Sequence, residues 1–285
     1  MMKQEMSPFQ QKIVSQIRLS PFAVNIHLLM DALSNEGLNF RQLAAVLSQY
    51  PVIVARLLAL ANSAWVAPLI PITTIESACA RLGMSVVKSV SVATAVSSSF
   101  NASSCPEFNV GVFWTNSILM SDGAFFLAAH LPKKQRDELA KTAQTAGILH
   151  GLGLLWLAEN LPRETGKALQ QVSADASLSL DEALIQCAGV GYCQAGAWIG
   201  QQWKLPDVLI IAMRHHLDAS YREHAWELAL LIGSALKMVS ALPDSMPVNN
   251  ALTDLGVTIE QQAIVFKQLA GRYEKTRTLA NELFA

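Results

Sequence analysis

Six histidines supply most of the side chains able to do chemistry near neutral pH: His27, His130, His150, His215, His216 and His224. Three lie in contexts that set them apart. His150 closes Ala146-Gly-Ile-Leu-His150 and opens onto Gly151-Leu-Gly-Leu-Leu-Trp156. His215 and His216 end a segment that starts at Trp203-Lys-Leu-Pro206. Imidazoles joined by carboxylates could hold one or two divalent ions, which lower the pKa of bound water for attack on a phosphoryl group. The alternative for His150 and His216 is helix packing, with each ring hydrogen-bonded inside the core, and this reading is preferred. Arg56, the only charged residue between Arg41 and Glu76, and Asn62 and Trp65 close after it, are candidates for contact with a partner or ligand. For Arg56 the alternative is an arginine that fixes one helix against the next; for Asn62 it is a local cap. No GxxxxGK[ST] loop, GxGxxG turn, GxSxG elbow or HExxH pair is present. Gly151-Leu-Gly153 reads as close helix packing rather than a phosphate cradle.

The elements that must position these residues are helices. Apolar residues recur with helical period, as in Phe40, Leu43, Ala44 and Leu47, or Val54, Leu57, Leu58 and Ala61, and no alternating strand run appears. Capping-box spacing, in which two orphan backbone donors are satisfied reciprocally, occurs at Asn39/Gln42, Thr73/Glu76, Ser179/Glu182 and Thr258/Gln261. Ser20-Pro21 is a further start signal. Breaks are expected at Glu36-Gly37, Tyr50-Pro51, Ala67-Pro68, Leu131-Pro132, Leu161-Pro162 and Leu205-Pro206. The polar stretch Ser97 to Glu107, read as having no apolar face, marks a junction between two helical subdomains. A softer stretch, Ala241 to Gly256, precedes a final helix from about Thr258 to Leu283, with Phe266, Leu269 and Tyr273 on its docking side. The expected units are 1–105, 106–242 and 243–285.

Composition narrows the function classes. The chain has 285 residues, 52% of them hydrophobic and 15% charged, which excludes intrinsic disorder. A net charge of −1 and a pI near 6.6 argue against nucleic acid as the main partner. Mean hydropathy of +0.30 raises the question of a membrane. The uncharged run Ala183 to Trp203 contains four glutamines, and Phe108 to Pro132 is interrupted by Asn109, Asn116, Asp122 and His130; both read as buried helices of a bundle. The opening MMKQEMSPFQQ has no apolar run and predicts no secretory leader. Cys79, Cys105, Cys187 and Cys193 form no CxxC pair and read as buried thiols in a reducing compartment, so the expected location is the cytoplasm.

The chain resembles the HDOD family, a branch of the HD phosphohydrolase superfamily found in bacterial signalling proteins. The resemblance lies in Phe40-Arg-Gln-Leu-Ala-Ala-Val-Leu-Ser-Gln-Tyr50-Pro51, Ala55-Arg56-Leu-Leu-Ala-Leu-Ala61-Asn62-Ser63-Ala64, Ile72-Thr-Thr-Ile-Glu76-Ser-Ala78 and Leu82-Gly83. It continues in Gly147-Ile-Leu-His150, Gly196-Ala-Trp-Ile and Trp203-Lys-Leu-Pro206 through His215-His216, and covers roughly Leu19 to Leu217. Tyr50 departs from it, since the family favours Asp before the proline. The resemblance implies an all-α fold, an N-terminal helical bundle packed against an HD-like helical bundle, with an extra C-terminal helix. It also implies where an active HD enzyme would place its metal ligands. Here those positions hold Asn116 for the first His, Gly151 for the Asp of the doublet after His150, Tyr192 for a further His, and Gly233-Ser234 for the final Asp. His150, His215 and His216 are then vestiges, and no cofactor or metal is expected. The expected function is non-catalytic signal transduction through a protein partner (by resemblance a kinase, a response regulator or a cyclic-dinucleotide enzyme), with a small nucleotide-like ligand a further option and neither nucleic acid nor membrane as partner. The competing reading is a metal-dependent phosphohydrolase or cyclic-dinucleotide phosphodiesterase using His150, His215 and His216.

Overall fold

The computed structural model describes residues 29, 33, 37–63, 66–98, 100–242 and 244–284. Among them are fourteen helices and no strand. Ser20-Pro21, Glu36 and Trp65 lie outside the described residues. The N-terminal group comprises α1 (Phe40–Leu47), α2 (Pro51–Ala61), α3 (Ile75–Leu82) and α4 (Met84–Ser97). The second group runs through α5 (Val110–Ala129), α6 (Lys133–Leu149), α7 (Leu152–Asn160), α8 (Pro162–Ala174), α9 (Leu180–Ala188), α10 (Tyr192–Gln202), α11 (Asp207–His215) and α12 (Trp226–Ser240). The short α13 (Asn250–Asp254) and the long α14 (Ile259–Phe284) follow.

Local chemistry sets many of the boundaries. The backbone N–H of Gln42 donates to Asn39 Oδ1 and that of Asn39 to Gln42 Oε1, each at 3.0 Å, so two orphan donors at the start of α1 are satisfied at once. The same reciprocal box opens α9 at Ser179/Glu182, and Thr258 and Gln261 make it at the start of α14. The box expected at Thr73 is replaced by a cap one residue later, where Thr74 Oγ1 accepts from Ser77 N. Pro51 occupies the first turn of α2, where its missing N–H costs nothing. Gly83, at φ +81°, lets α3 and α4 meet at 116°, a backbone conformation strained for any side chain.

The apolar helix α5 sits at the centre, with Trp114, Leu119, Met120 and Leu127 fully buried and α6, α12 and α14 packed around it. It is the one described helix long and apolar enough by itself to cross a membrane, and 67% of its most apolar window is buried inside the protein. Polar groups tie it to its neighbours. Ser121 Oγ donates to Gln144 O at 2.8 Å, while Gln144 Nε2 donates to Ser85 Oγ at 2.7 Å and Ser89 Oγ at 3.2 Å, joining α4, α5 and α6. α7 crosses α10 in backbone contact, because a Cβ on Gly153 would overlap Tyr192 O and Gly196 N. Gly153 is thus a packing glycine.

Two stretches differ from the sequence expectation. The segment between α4 and α5 has an apolar anchorage after all: Ala102, Cys105 and Phe108 are buried, and the Phe100 ring lies 5.9 Å from that of Trp203. The soft stretch before the last helix contains α13, too short to show a period. The final helix docks on α5 as expected, but through Val265, Leu269, Ala280 and Leu283, with Phe266 and Tyr273 only half-buried.

Candidate functional site

His150 and His216 meet in the interior. Their ring centroids are 5.7 Å apart and the planes are perpendicular. His150 caps the C-terminal end of α6, and its Nδ1–H donates to Gly147 O at 2.7 Å. His216 caps α11 in the same way, with Nδ1 3.0 Å from Met213 O and 3.1 Å from Ala212 O. Both rings therefore direct Nε2 away from their own helices. Burial pushes the pKa of His150 down to about 4, and burial together with the neighbouring His150 pushes that of His216 down to about 3. At neutral pH both rings are uncharged.

Tyr192 completes the cluster from the start of α10. Its hydroxyl donates to His216 Nε2 at 3.2 Å, and Cys193 Sγ lies 3.8 Å from the same nitrogen. Burial, reinforced by the Asp181 carboxylate, pushes the Cys193 thiol well above its ordinary pKa and keeps it protonated. Asp181 projects from the first turn of α9, accepts the Cys193 N–H at 3.0 Å, and so supplies the capping acceptor that α10 lacks locally. Sequence reading gave Cys193 only as a buried thiol and missed Asp181. Their pairing spans twelve residues and two helices, and no local pattern signals it.

His215 does not join the pair. Its ring stacks on Tyr221 with centroids 4.0 Å apart and planes 9° from parallel. Consecutive helical residues point about 100° apart, and here that divergence sends the His215 ring to Tyr221 and the His216 ring inward to His150. Arg56 places its guanidinium 5.9 Å from the centre of the Phe284 ring, linking α2 to the end of α14. Asn62 donates to Leu58 O at 2.8 Å and Ile72 O at 2.7 Å and accepts from Ile72 N at 2.8 Å, closing the loop between α2 and α3. The two are thus engaged within the chain.

Next to His150 a cavity of about 290 Å³ opens between α5, α7, α9 and α10. Asn116, Gly151 and Tyr192 all line it, so three of the positions that the family resemblance matches to HD metal ligands share one space. The fourth does not. Ser234 Oγ donates to Leu230 O at 2.6 Å and accepts from Asn249 Nδ2 at 2.8 Å, while a Cβ on Gly233 would overlap the His216 carbonyl oxygen. A Cβ on Gly151 would stand 2.7 Å from Phe113 Cε2.

This donor set is a poor fit for Mg or Mn. Two neutral imidazoles, a phenol held in a hydrogen bond and a protonated thiol provide no anionic oxygen, whereas Mg and Mn prefer several. Among the described residues no cluster of three or more His, Cys, Asp or Glu is arranged to hold an ion.

The HDOD domain model matches residues 19–219, most of the chain. The chain belongs to the HDOD family. Solved structures share its fold. A Marinobacter aquaeolei VT8 protein whose name places it in signal transduction is 21% identical with a TM-score of 0.81; the match covers 98% of this chain and 62% of that one, so this chain spans under two thirds of its length. An HDOD domain protein from Geobacter sulfurreducens is 17% identical with a TM-score of 0.73, and 97% of each chain is covered. A Shewanella amazonensis SB2B protein named as a phosphohydrolase is 23% identical with a TM-score of 0.69, covering 96% of this chain and 97% of that one. No curated protein matches. At such identities the likeness establishes the HDOD fold.

Proposed function

We propose that this HDOD protein is a non-catalytic signalling module that acts through contact with a protein partner, its HD-type cavity having lost metal chemistry. One observation carries the reading: the two remaining imidazoles are neutral, tied to main-chain carbonyls and without a carboxylate to share an ion. At position 151 even a Cβ would press on the Phe113 ring, 2.7 Å from Cε2. A phosphohydrolase needs a metal-activated water or an equivalent base, and a buried imidazole with a pKa near 3 or 4 is a poor base at neutral pH.

The partner contact in this reading falls on the loop that Asn62 closes. Leu69 is fully exposed and Ile70 is 78% exposed there, flanked by Pro68 and Pro71. Large apolar side chains held in water by a fixed loop suit recognition better than packing.

The test is metal content of untagged protein purified without chelator, alongside His150→Ala, followed by incubation with Mn, Fe, Ni and Zn and assay of phosphodiester hydrolysis. The expected result is substoichiometric metal and no turnover in either protein. Stoichiometric metal that disappears in His150→Ala, with hydrolysis by the wild type, would establish the phosphohydrolase reading instead.

A further inference from the structure

The cavity beside His150 has a chemistry of its own. Ser117, on α5, is completely buried, lines the cavity, and its Oγ has no hydrogen-bond partner. An unsatisfied buried hydroxyl is unfavourable by an amount comparable to a lost hydrogen bond, so its presence calls for a partner. Two more polar residues line the same cavity, His150 and Asn116. His150 has its Nδ1–H engaged with Gly147 O, which leaves Nε2 as a lone-pair acceptor with no partner among the described residues. Asn116, next to Ser117, is half-buried and likewise makes no hydrogen bond within the described protein. Apolar side chains, among them Leu154, Leu169 and Leu180, make up much of the remaining lining.

Charge then narrows the occupant. No Lys or Arg lines the space, and Glu107 is the one charged side chain among the described lining residues. A phosphate would find no cation and would face a carboxylate, which disfavours nucleotides. A volume of about 290 Å³ lies at the small end of ligand pockets, which begin near about 300 Å³.

We propose that this cavity binds a small uncharged molecule that joins an apolar ring to a hydroxyl or N–H donor. The donor goes to His150 Nε2, the Ser117 hydroxyl bonds the same polar edge, and the ring lies against the leucines. The inference rests on the metal-free reading above, since an ion on His150 would occupy the same nitrogen.

Phenol is the probe, measured by calorimetry on the full chain, with toluene, benzoate and inorganic phosphate as comparisons. The wild type is expected to bind phenol more tightly than toluene and to bind neither benzoate nor phosphate. Ser117→Ala should weaken phenol by about fivefold, the effect of one hydrogen bond, while its thermal midpoint stays equal or rises, because the hydroxyl it removes has no partner in the free protein. Leu169→Trp, which fills the cavity, should abolish phenol binding with the helical circular-dichroism signal unchanged. Absence of phenol binding to wild-type protein that is free of metal overturns this inference and leaves the signalling reading intact. So does equal binding by wild type and Ser117→Ala, or a Ser117-dependent affinity for phosphate. Metal-dependent hydrolysis would instead remove the reading on which it rests.

Discussion

His150 and His216 show how an imidazole can be retained in a fold while its titration is suppressed. Each gives its Nδ1–H to a carbonyl of the helix it terminates, and burial makes the charged form costly. The linkage to stability has a definite sign. The unfolded histidines protonate near pH 6.5, the folded ones near 4 and 3, so between these limits the unfolded state binds more protons. Their contribution is complete above about pH 6.5 and is lost as pH falls towards 4. Each should tilt the stability curve by about 1.4 kcal/mol per pH unit in that window. Asp122 and Asp181, which burial pushes upward, act in the opposite sense, so the informative quantity is a difference. Urea unfolding of wild type and His150→Gln across pH 4.5 to 7 should show the variant's slope reduced by about one proton; equal slopes would mean that His150 is not held neutral. Gly151 provides a second prediction at this scale. Gly151→Ala forces the Phe113 ring aside and should destabilise by about 1–3 kcal/mol, the range for overpacking, in a denaturant titration.

At the scale of elements, what could be read from the sequence is what depends on neighbours a few residues away. The boxes at Asn39, Ser179 and Thr258 and the proline start of α2 are local hydrogen-bond arithmetic, and they stand in the structure where the spacing places them. The shift from Thr73 to Thr74 shows the limit, since adjacent threonines offer the same hydroxyl and only the loop's path chooses between them. The meeting of His150 with His216, the approach of Asp181 to α10 and the isolation of the Ser117 hydroxyl are set by helix crossings, and no periodicity contains them. Family resemblance pointed to Asn116, Gly151 and Tyr192 as one place, and they share a cavity; it could not tell His215 from His216. The loop after α2 carries its own test. Asn62→Ala deletes the two hydrogen bonds to Ile72 that close it, so the segment from Ser63 to Pro71 should become cleavable by protease well before the rest of the chain. Mass mapping of early fragments checks this; unchanged cleavage would mean that other contacts fix the loop.

Across the whole molecule, the C-terminal helix does more than cover α5. Its Arg272 pairs with the buried Asp122 at 2.9 Å and lies 4.9 Å from the Phe126 ring centre, holding the middle of α14. Its end reaches further: the Phe284 ring stacks on Trp114 at 4.8 Å between centroids, and the Arg56 guanidinium of α2 lies over the same ring, 5.9 Å from its centre. One aromatic residue at the end of the described chain thus touches both helical groups. The buried apolar cluster runs without interruption from Leu43 and Leu57 through Leu119 to Leu283, so unfolding should be cooperative despite the junction between α4 and α5. Phe284→Ala removes the stacked ring and leaves Arg56 without its apolar support, and should cost about 1–3 kcal/mol of global stability. Arg56→Met, which keeps an apolar stem over the ring, should cost much less. If the two groups depend on this clasp, Phe284→Ala will also separate the fluorine resonance of Trp114 in 5-fluorotryptophan-labelled protein from far-ultraviolet circular dichroism, because that one of the six tryptophans reports the joint while the dichroism reports every helix. Coincident transitions in the variant would show that the continuous core alone holds the groups together, and would reduce the terminal aromatic to a local contact.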